Sequence, residues 1–418
     1  MSERVPEGWT QSRVINFVNV GRGYAFKSFD YHSTGNPIVR VTNISDSNGL
    51  DLSNNIVYLT KDRATEFQSY QLKDDDFLLV MVGATIGKYA KVSTQGKSLF
   101  LNQNMWRLSV IDKQTQSQKF AIYGLQKVIE EFLRTMQGSA REFLTQKEFG
   151  KATLILPPLP EQKKIASILT SVDEVIESTQ KQIDKLQDLK KATMNKLLTK
   201  GIGHTEFKDS DMGRIPKSWE VKSLGDFSNV TKLAGFEYTE HFDYSVGGEI
   251  IAVRALNLDG GKLDLTNIQT IPKSVSDALP RSKLFYGDIL ISYVGSVGNL
   301  GFINDNDRFH LAPNVAKISC DLHQVNAHFI LQQLQSDRAQ KNIKDLTTIT
   351  SQPSLNMANI RKIRFLVCPI KEQSDIVKIL SSIDTKLENL EQKLIQTQSL
   401  KKSLMQNLLT GKVRVKVN

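Results

Sequence analysis

One stretch of this chain occurs twice, and both copies carry a long apolar stripe of helical period. PLPEQKKIASILTSVDEVIESTQ, from Pro158, returns as PIKEQSDIVKILSSIDTKLENLE, from Pro369. Pro158/Pro369, Glu161/Glu372, Gln162/Gln373, Ile165/Ile376, Ile168/Ile379, Leu169/Leu380, Ser171/Ser382, Asp173/Asp384 and Glu177/Glu388 are identical. The match resumes at Leu189-Lys190-Lys191 against Leu400-Lys401-Lys402, then Met194 against Met405 and Leu197-Leu198-Thr199 against Leu408-Leu409-Thr410, with no gap. In the first copy Ile165, Leu169, Val172, Ile176, Thr179, Ile183 and Leu186 follow spacings of four and three. In the second, Ile376, Leu380, Ile383, Leu387, Leu390 and Leu394 do the same. This is the heptad period of helices that pack along one another. No Pro or Gly interrupts 161–199 or its counterpart; a Pro precedes each, and Gly201 and Gly411 mark the stops. About 39 residues make a helix of about 58 Å, too long for an ordinary core element. Each helix packing on its own globular part is one account. Two such stripes bury each other most economically, and the chain's return for the second makes the pair antiparallel.

A repeat spanning half the chain is a duplicated module, since solenoid periods run at about 20–50 residues. The duplication extends beyond the helices. VPEGW (5–9) answers IPKSW (215–219), Arg40-x-x-Asn43 answers Arg254-x-x-Asn257, DFLLVMVGATIG (76–87) answers DILISYVGSVG (288–298), and Leu101-x-x-Asn104 answers Leu311-x-x-Asn314. Trp9 and Trp219 read as core anchors near the helix ends. The runs IVRVTNI, FLLVMVG, KATLILP, IIAVRAL and DILISYVG have the β-branched composition of strands, with helical stretches at 118–136 and 325–344. The division expected is 1–157 globular, 158–200 helix, 201–218 a glycine-rich polar linker, 219–368 globular, and 369–418 helix and tail. The fold class is α+β: two globular strand-rich parts separated by two long antiparallel coiled-coil helices, a pseudo-twofold internal repeat.

At 418 residues, 40% hydrophobic, the chain has ample core for several domains, and its net charge of +10 favours a polyanionic partner. No run of about 18 apolar residues is present, and the opening MSERVPEGW lacks an apolar signal core, so a cytoplasmic protein is expected. Cys320 and Cys368 lie far apart in sequence, without metal-type spacing.

Catalytic motifs fail on their spacing. GATIGKY (83–89) has one residue too few between its glycines for a phosphate loop, and Tyr89 stands where Ser or Thr is needed, so a hairpin is expected there. GSVGNLG (295–301) precedes no helix pattern. Glu161-x-Lys163 resembles half of a nuclease metal site, but helix-start electrostatics explains it better. The six histidines form no zinc-type motif and no Ser/His/Asp set is assignable. The expectation is a non-enzymatic chain with no metal and no cofactor of its own.

The order of tryptophan, variable part, PLPEQKKIASIL, LKK, LLT and then FKDSDMGRIPKSW, repeated, resembles the specificity subunit of type I restriction–modification enzymes. The resemblance is strong over 158–219 and 369–411 and holds in outline elsewhere. It implies that each globular part is a target recognition domain reading one half of a bipartite double-stranded DNA site, and that the paired helices set the spacer. It also implies two modification (methyltransferase) subunits docked on the helices and carrying S-adenosylmethionine, with motor-nuclease restriction subunits joining for cleavage. The N-terminal segment around 5–9 would close against the chain's end. The competing reading is a coiled-coil scaffold or adaptor without sequence-specific DNA binding.

Base reading calls for Arg, Lys, Asn, Gln, Ser or Thr on groove-facing loops, and phosphates call for Arg or Lys. The candidates are Arg40, Asn43, Lys88, Tyr89, Lys91 and Arg107 in the first half. In the second half they are Arg254, Asn257, Arg281, Lys283, Tyr293 and Ser296. Each also has an ordinary reading as surface charge or structural hydrogen bond. If the halves read different sequences, residues that recur should be structural or phosphate-binding, and unmatched ones should read bases. Lys190, Lys191, Lys401 and Lys402 read as a solvated basic helix end or a partner contact, with solvation the favoured account.

Overall fold

The short β-branched runs pair into sheets of the same order in both halves of the chain. The computed structural model describes residues 5–45, 48–136, 144–233, 244, 247–348 and 352–417. It divides into two compact units, 1–180 with 392–418, and 181–391. In the first, one antiparallel sheet runs Val18–Arg22, Met105–Val110, Phe77–Val80, Tyr89–Lys91. Its counterpart in the second runs Ser228–Lys232, Val315–Cys320, Ile289–Ser292, Leu300–Phe302.

The next sheet sets Asn36–Val39 between Val57–Leu59 and Phe100–Leu101, parallel to the latter. Ile250–Val253 does the same between Gln269–Ile271 and Phe309–Leu311. The second unit adds an edge strand, Lys283–Leu284, where the first has a single bridge from Gln71 to Phe100. A two-stranded ribbon completes each unit: Thr10–Arg13 with Thr153–Leu156, and Glu220–Ser223 with Arg364–Val367.

Two of the expected strands are half as long as their composition suggests. In 38–44 and 250–256 the strand ends at Val39 and Val253, and a 3-10 turn follows, Val41–Asn43 or Ala255–Asn257. The Asn side chain ends the strand by capturing the Arg amide, 3.0 Å from Asn43 Oδ1 to Arg40 N and 3.1 Å from Asn257 Oδ1 to Arg254 N. The helical stretch at 325–344 is broken into Ala327–Gln335 and Asp337–Asp345 by Ser336, which caps the second piece. The linker contains a small ribbon, Phe207–Lys208 with Ile215–Pro216.

The long helices are Leu159–Lys200 and Ile370–Leu408. Pro160 fits the first turn because its missing N–H has no intrahelical partner there. The start of each helix is built into the core of the globular part before it. Ile165 and Leu169 share a cluster with Trp106, Phe120 and Phe149, and Ile376 and Leu380 share one with Phe329 and Phe365. Leu408 and the adjoining Leu409 join the first cluster, while Leu197 and Leu198 join the second. In each unit, then, the start of one long helix lies against the end of the other, running antiparallel. Each fully buried Leu or Ile adds about 1.5–3 kcal/mol to that junction.

The Gln of the repeated Glu-Gln pair ties the strand-to-helix corner. Gln162 donates to Pro157 O at 2.8 Å and accepts from Ser117 N at 2.9 Å; Gln373 donates to Cys368 O at 2.7 Å and accepts from Asn326 N at 2.7 Å. The neighbouring Glu holds the chain that leaves the other helix. Glu372 takes Trp219 Nε1 at 3.0 Å, His204 Nε2 at 2.8 Å and Ile202 N at 3.0 Å. Glu161 takes Arg414, Nη2 at 2.6 Å and Nε at 3.0 Å, and Arg414 also donates to Glu7 O at 2.9 Å. The segment 5–9 and the tail after Gly411 together occupy the place that the linker fills in the second unit.

Candidate nucleic-acid interface

Hydrogen bonds trace one continuous edge in each unit. Where the parallel strands of the first unit end, Asn102 N donates to Val39 O at 3.0 Å, beside Arg40. Two residues on, Asn104 has a left-handed backbone, φ 72°, and its carbonyl accepts Met81 N at 3.1 Å. Met81 opens the turn 81–88 that joins Phe77–Val80 to Tyr89–Lys91. The second unit repeats each step. Ala312 N donates to Val253 O at 3.2 Å, Asn314 has φ 68°, and its carbonyl accepts Tyr293 N at 3.0 Å, at the start of the turn 293–299. Gly87 and Gly298, φ +84° and +91°, close these turns against Leu133 and Ile343. The edge thus carries three neighbours: the Arg turn, residues 102–104 or 312–314, and the hairpin turn.

The Arg turns rest on a second repeat that the sequence reading missed. Leu50-Asp51-Leu52-Ser53-Asn54 matches Leu263-Asp264-Leu265-Thr266-Asn267. Asp51 accepts Ser53 N at 2.8 Å and its own N donates to Asn43 O at 2.8 Å. Asp264 accepts Thr266 N at 2.9 Å and donates to Asn257 O at 2.8 Å. Asn257 Nδ2 donates to Asp264 O and Asn267 O, both at 2.9 Å, and Arg254 Nη2 to Asn267 O at 2.9 Å. Asn43 Nδ2 reaches Asn54 O at 3.2 Å, and Arg40 Nη2 bonds Asn55 O. The pattern D-x-[S/T] ten or so residues after R-x-x-N was the available signal.

Several candidates are committed to partners within the fold. Asn43 and Asn257 are 0% exposed with their amides committed to backbone, so within the fold they hold the turn. Arg107 runs inward from its strand to donate to Gln71 O at 3.0 Å, and its counterpart Lys317 donates to Lys283 O at 2.8 Å; both tie the two sheets together. Lys91 lies at the far end of its strand, 3.1 Å from Asp75.

Other candidates do sit at the edge. Lys88 and Tyr89 close the first hairpin turn; Tyr89 is half-buried against Phe77, and burial pushes its phenol up to about 12. Tyr293 and the exposed Ser296 belong to the second turn, with Lys232 Nζ 5.7 Å from the Tyr293 ring. Arg281 is exposed just before Lys283–Leu284, whose antiparallel register against Phe309–Leu311 carries it toward Ala312. Lys283 pairs with Asp277 at 2.6 Å; hydrogen bonds from Lys273 and Lys283 hold that carboxyl at about 2. Arg40 and Arg254 are partly exposed beside their turns. The exposed Arg22 and Lys232, at matching strand ends, were missed because they are not identical and so leave no repeat in the sequence.

Of the helix seam, Ile165, Leu169, Ile183, Ile376, Leu380 and Leu387 are buried. Val172, Ile176, Leu186, Ile383, Leu390 and Leu394 are half-buried, and Thr179 is 1% exposed. Among the described residues no group of three or more His, Cys, Asp or Glu is arranged to hold a metal, and no helix is long and apolar enough to cross a membrane.

The profile of the type I restriction modification DNA specificity domain matches residues 6–188 and again 216–398. The type I restriction enzyme MjaVIII specificity subunit of Methanocaldococcus jannaschii is 28% identical over 99% of this chain and 95% of its own. The EcoBI specificity subunit of Escherichia coli is 20% identical over 98% of this chain and 86% of its own. The crystal structure of the S subunit from M. genitalium superposes with a TM-score of 0.62 at 16% identity, covering 97% of this chain and 98% of that one, and so shares the fold. With two tandem matches that together span most of its length, the chain belongs to the type I restriction modification DNA specificity family.

Proposed function

We propose that this chain is the DNA specificity subunit of a type I restriction–modification complex, with each unit reading one half of a bipartite site. The observation that carries the reading is a duplicated edge whose buried frame is the same in both units while its exposed residues differ. Repeated Arg40 and Arg254 suit phosphate, which is the same in every sequence. Lys88, Ser296 and Arg281 have no identical counterpart and suit base edges.

The paired helices act as a ruler that sets the unspecific spacer and as the dock for two modification subunits, which would carry S-adenosylmethionine; restriction subunits would join that assembly. Two copies are supported by Leu189 and Leu400, repeat partners that are 54% and 52% exposed, one in each unit. The chemistry of methyl transfer belongs to the partner, and this chain contributes addressing.

Inserting four residues into 161–199 lengthens that helix by about 6 Å. The spacer should grow by about one or two base pairs while both half-sites stay the same, read by mapping methylated adenine. Changed half-sites with an unchanged spacer would refute the ruler. The scaffold alternative predicts no sequence-specific binding; a steep fall of specific affinity with salt excludes it.

A further inference from the structure

The repeated Arg turn presents one residue outward, and that residue differs between the units. In 40–43 and 254–257 the first position is the Arg and the last is the fully buried Asn. The second, Val41 or Ala255, packs inward on the core. The third is Thr42, exposed, and Leu256, 53% exposed. Identical capping bonds on both turns give these two side chains the same pedestal.

A leucine so exposed on a rigid, hydrogen-bonded apex adds nothing to its own core. Leu265 and Ile268, on the loop held by Arg254 and Asn257, are 36% and 41% exposed and extend the apolar surface; the matching Leu52 is more covered. The only apolar feature on a base-pair edge in the major groove is the thymine C5-methyl group.

We propose that Leu256 reads a thymine methyl in the half-site of the second unit, and that Thr42 occupies the same position over a base of the other half-site. Arg254 and Arg40, alongside, take the flanking phosphate. This inference rests on the reading of each unit as a target recognition domain.

The test uses the full chain with its modification partner. Methylation mapping first defines the bipartite site; each thymine of the second half-site is then replaced in turn by uracil, which lacks only the methyl. One position should weaken wild-type binding by about fourfold, the effect of burying one such group. Leu256→Ala should bind the cognate site more weakly and be indifferent to that uracil, and Thr42→Ala should leave the scan unchanged. A half-site without thymine, a flat scan, or equal sensitivity in Leu256→Ala overturns the proposal. So does a flat scan in which Leu256→Ala instead loosens the modification partner, since the apex is then a protein contact. If the wild-type complex methylates no bipartite site, the underlying reading fails first.

Discussion

Lys401 Nζ lies 2.7 Å from Asp173 Oδ1, joining the end of the second long helix to the start of the first. Lys190 and Asp384, their repeat partners, meet at 2.5 Å in the other unit. Partner numbers in the two pairs add to the same value, so one antiparallel register holds in both units. These pairs are partly exposed, and such bridges contribute about 0.2–1 kcal/mol; their effect is on register more than on stability. Lys401→Glu should cost about 1 kcal/mol, because it meets an acceptor already bonded to Tyr123 Oη at 2.7 Å. Adding Asp173→Lys should recover most of the loss in thermal unfolding. A double variant no better than the single one would mean that the pair is incidental.

The two helix-start glutamates should differ in importance. Glu372 satisfies the indole of the fully buried Trp219, whereas among the described residues Trp9 Nε1 has no hydrogen-bond partner and Glu161 binds the tail arginine. Glu372→Ala strands a buried donor and frees the linker, a loss of about 2–3 kcal/mol. For a unit of this size that is roughly 5–10 °C in unfolding temperature. Glu161→Ala should lower it by less than half as much, and equal losses would contradict the assignment.

Asn257 is the buried support of the second Arg turn. Asn257→Ala leaves Arg254 N and Asp264 O without their partner inside the fold and removes one of the two donors to Asn267 O, at about 2–3 kcal/mol. Methylation mapping should show relaxed preference in one half-site and the other intact. Intact preference in both would mean that the turn lies away from the DNA.

The helix pair was legible in the sequence because a heptad needs only local spacing to be seen. The pairing of Lys190 and Lys401 was not, since each partner lies about two hundred residues away and a lysine beside a helix end reads as solvated. Arg40-x-x-Asn43 stood out as a repeat, yet its role depends on carbonyls of a loop more than ten residues downstream. That Arg107 ties two sheets was not legible, because its neighbours Trp106 and Leu108 fill the core on one face and nothing in the alternation shows that the other face is also covered by a second sheet.

Acid should loosen the first unit through Asp30. Burial alone would raise its carboxyl, but Arg63, at 2.7 and 3.2 Å, and Lys27 N, at 3.0 Å, outweigh burial and hold it below the usual range. A depressed carboxyl contributes stability above its unfolded value of about 4, and that contribution is lost as pH falls through the folded value. Arg63→Met removes the counter-charge while the Lys27 amide remains, so the loss of stability on acidification should shrink. Unfolding temperatures between pH 3 and 6 report the slope; the same slope in both proteins would mean that Asp30 does not titrate with folding.

The exposed repeat leucines predict how many modification subunits bind. Leu189 and Leu400 lie on the outside of their helices, so Leu189→Asp or Leu400→Asp should leave folding intact and remove one docking surface each. Native mass spectrometry of the reconstituted methyltransferase should show two modification subunits with the wild-type chain, mostly one with either single variant, and little assembly with both. The single variants should also lose methylation at adenines of one half-site before the other, since each unit keeps or loses its own partner. Loss of both partners from a single substitution would mean that the two copies dock cooperatively on one shared surface, and the assignment of one surface to each unit would be wrong.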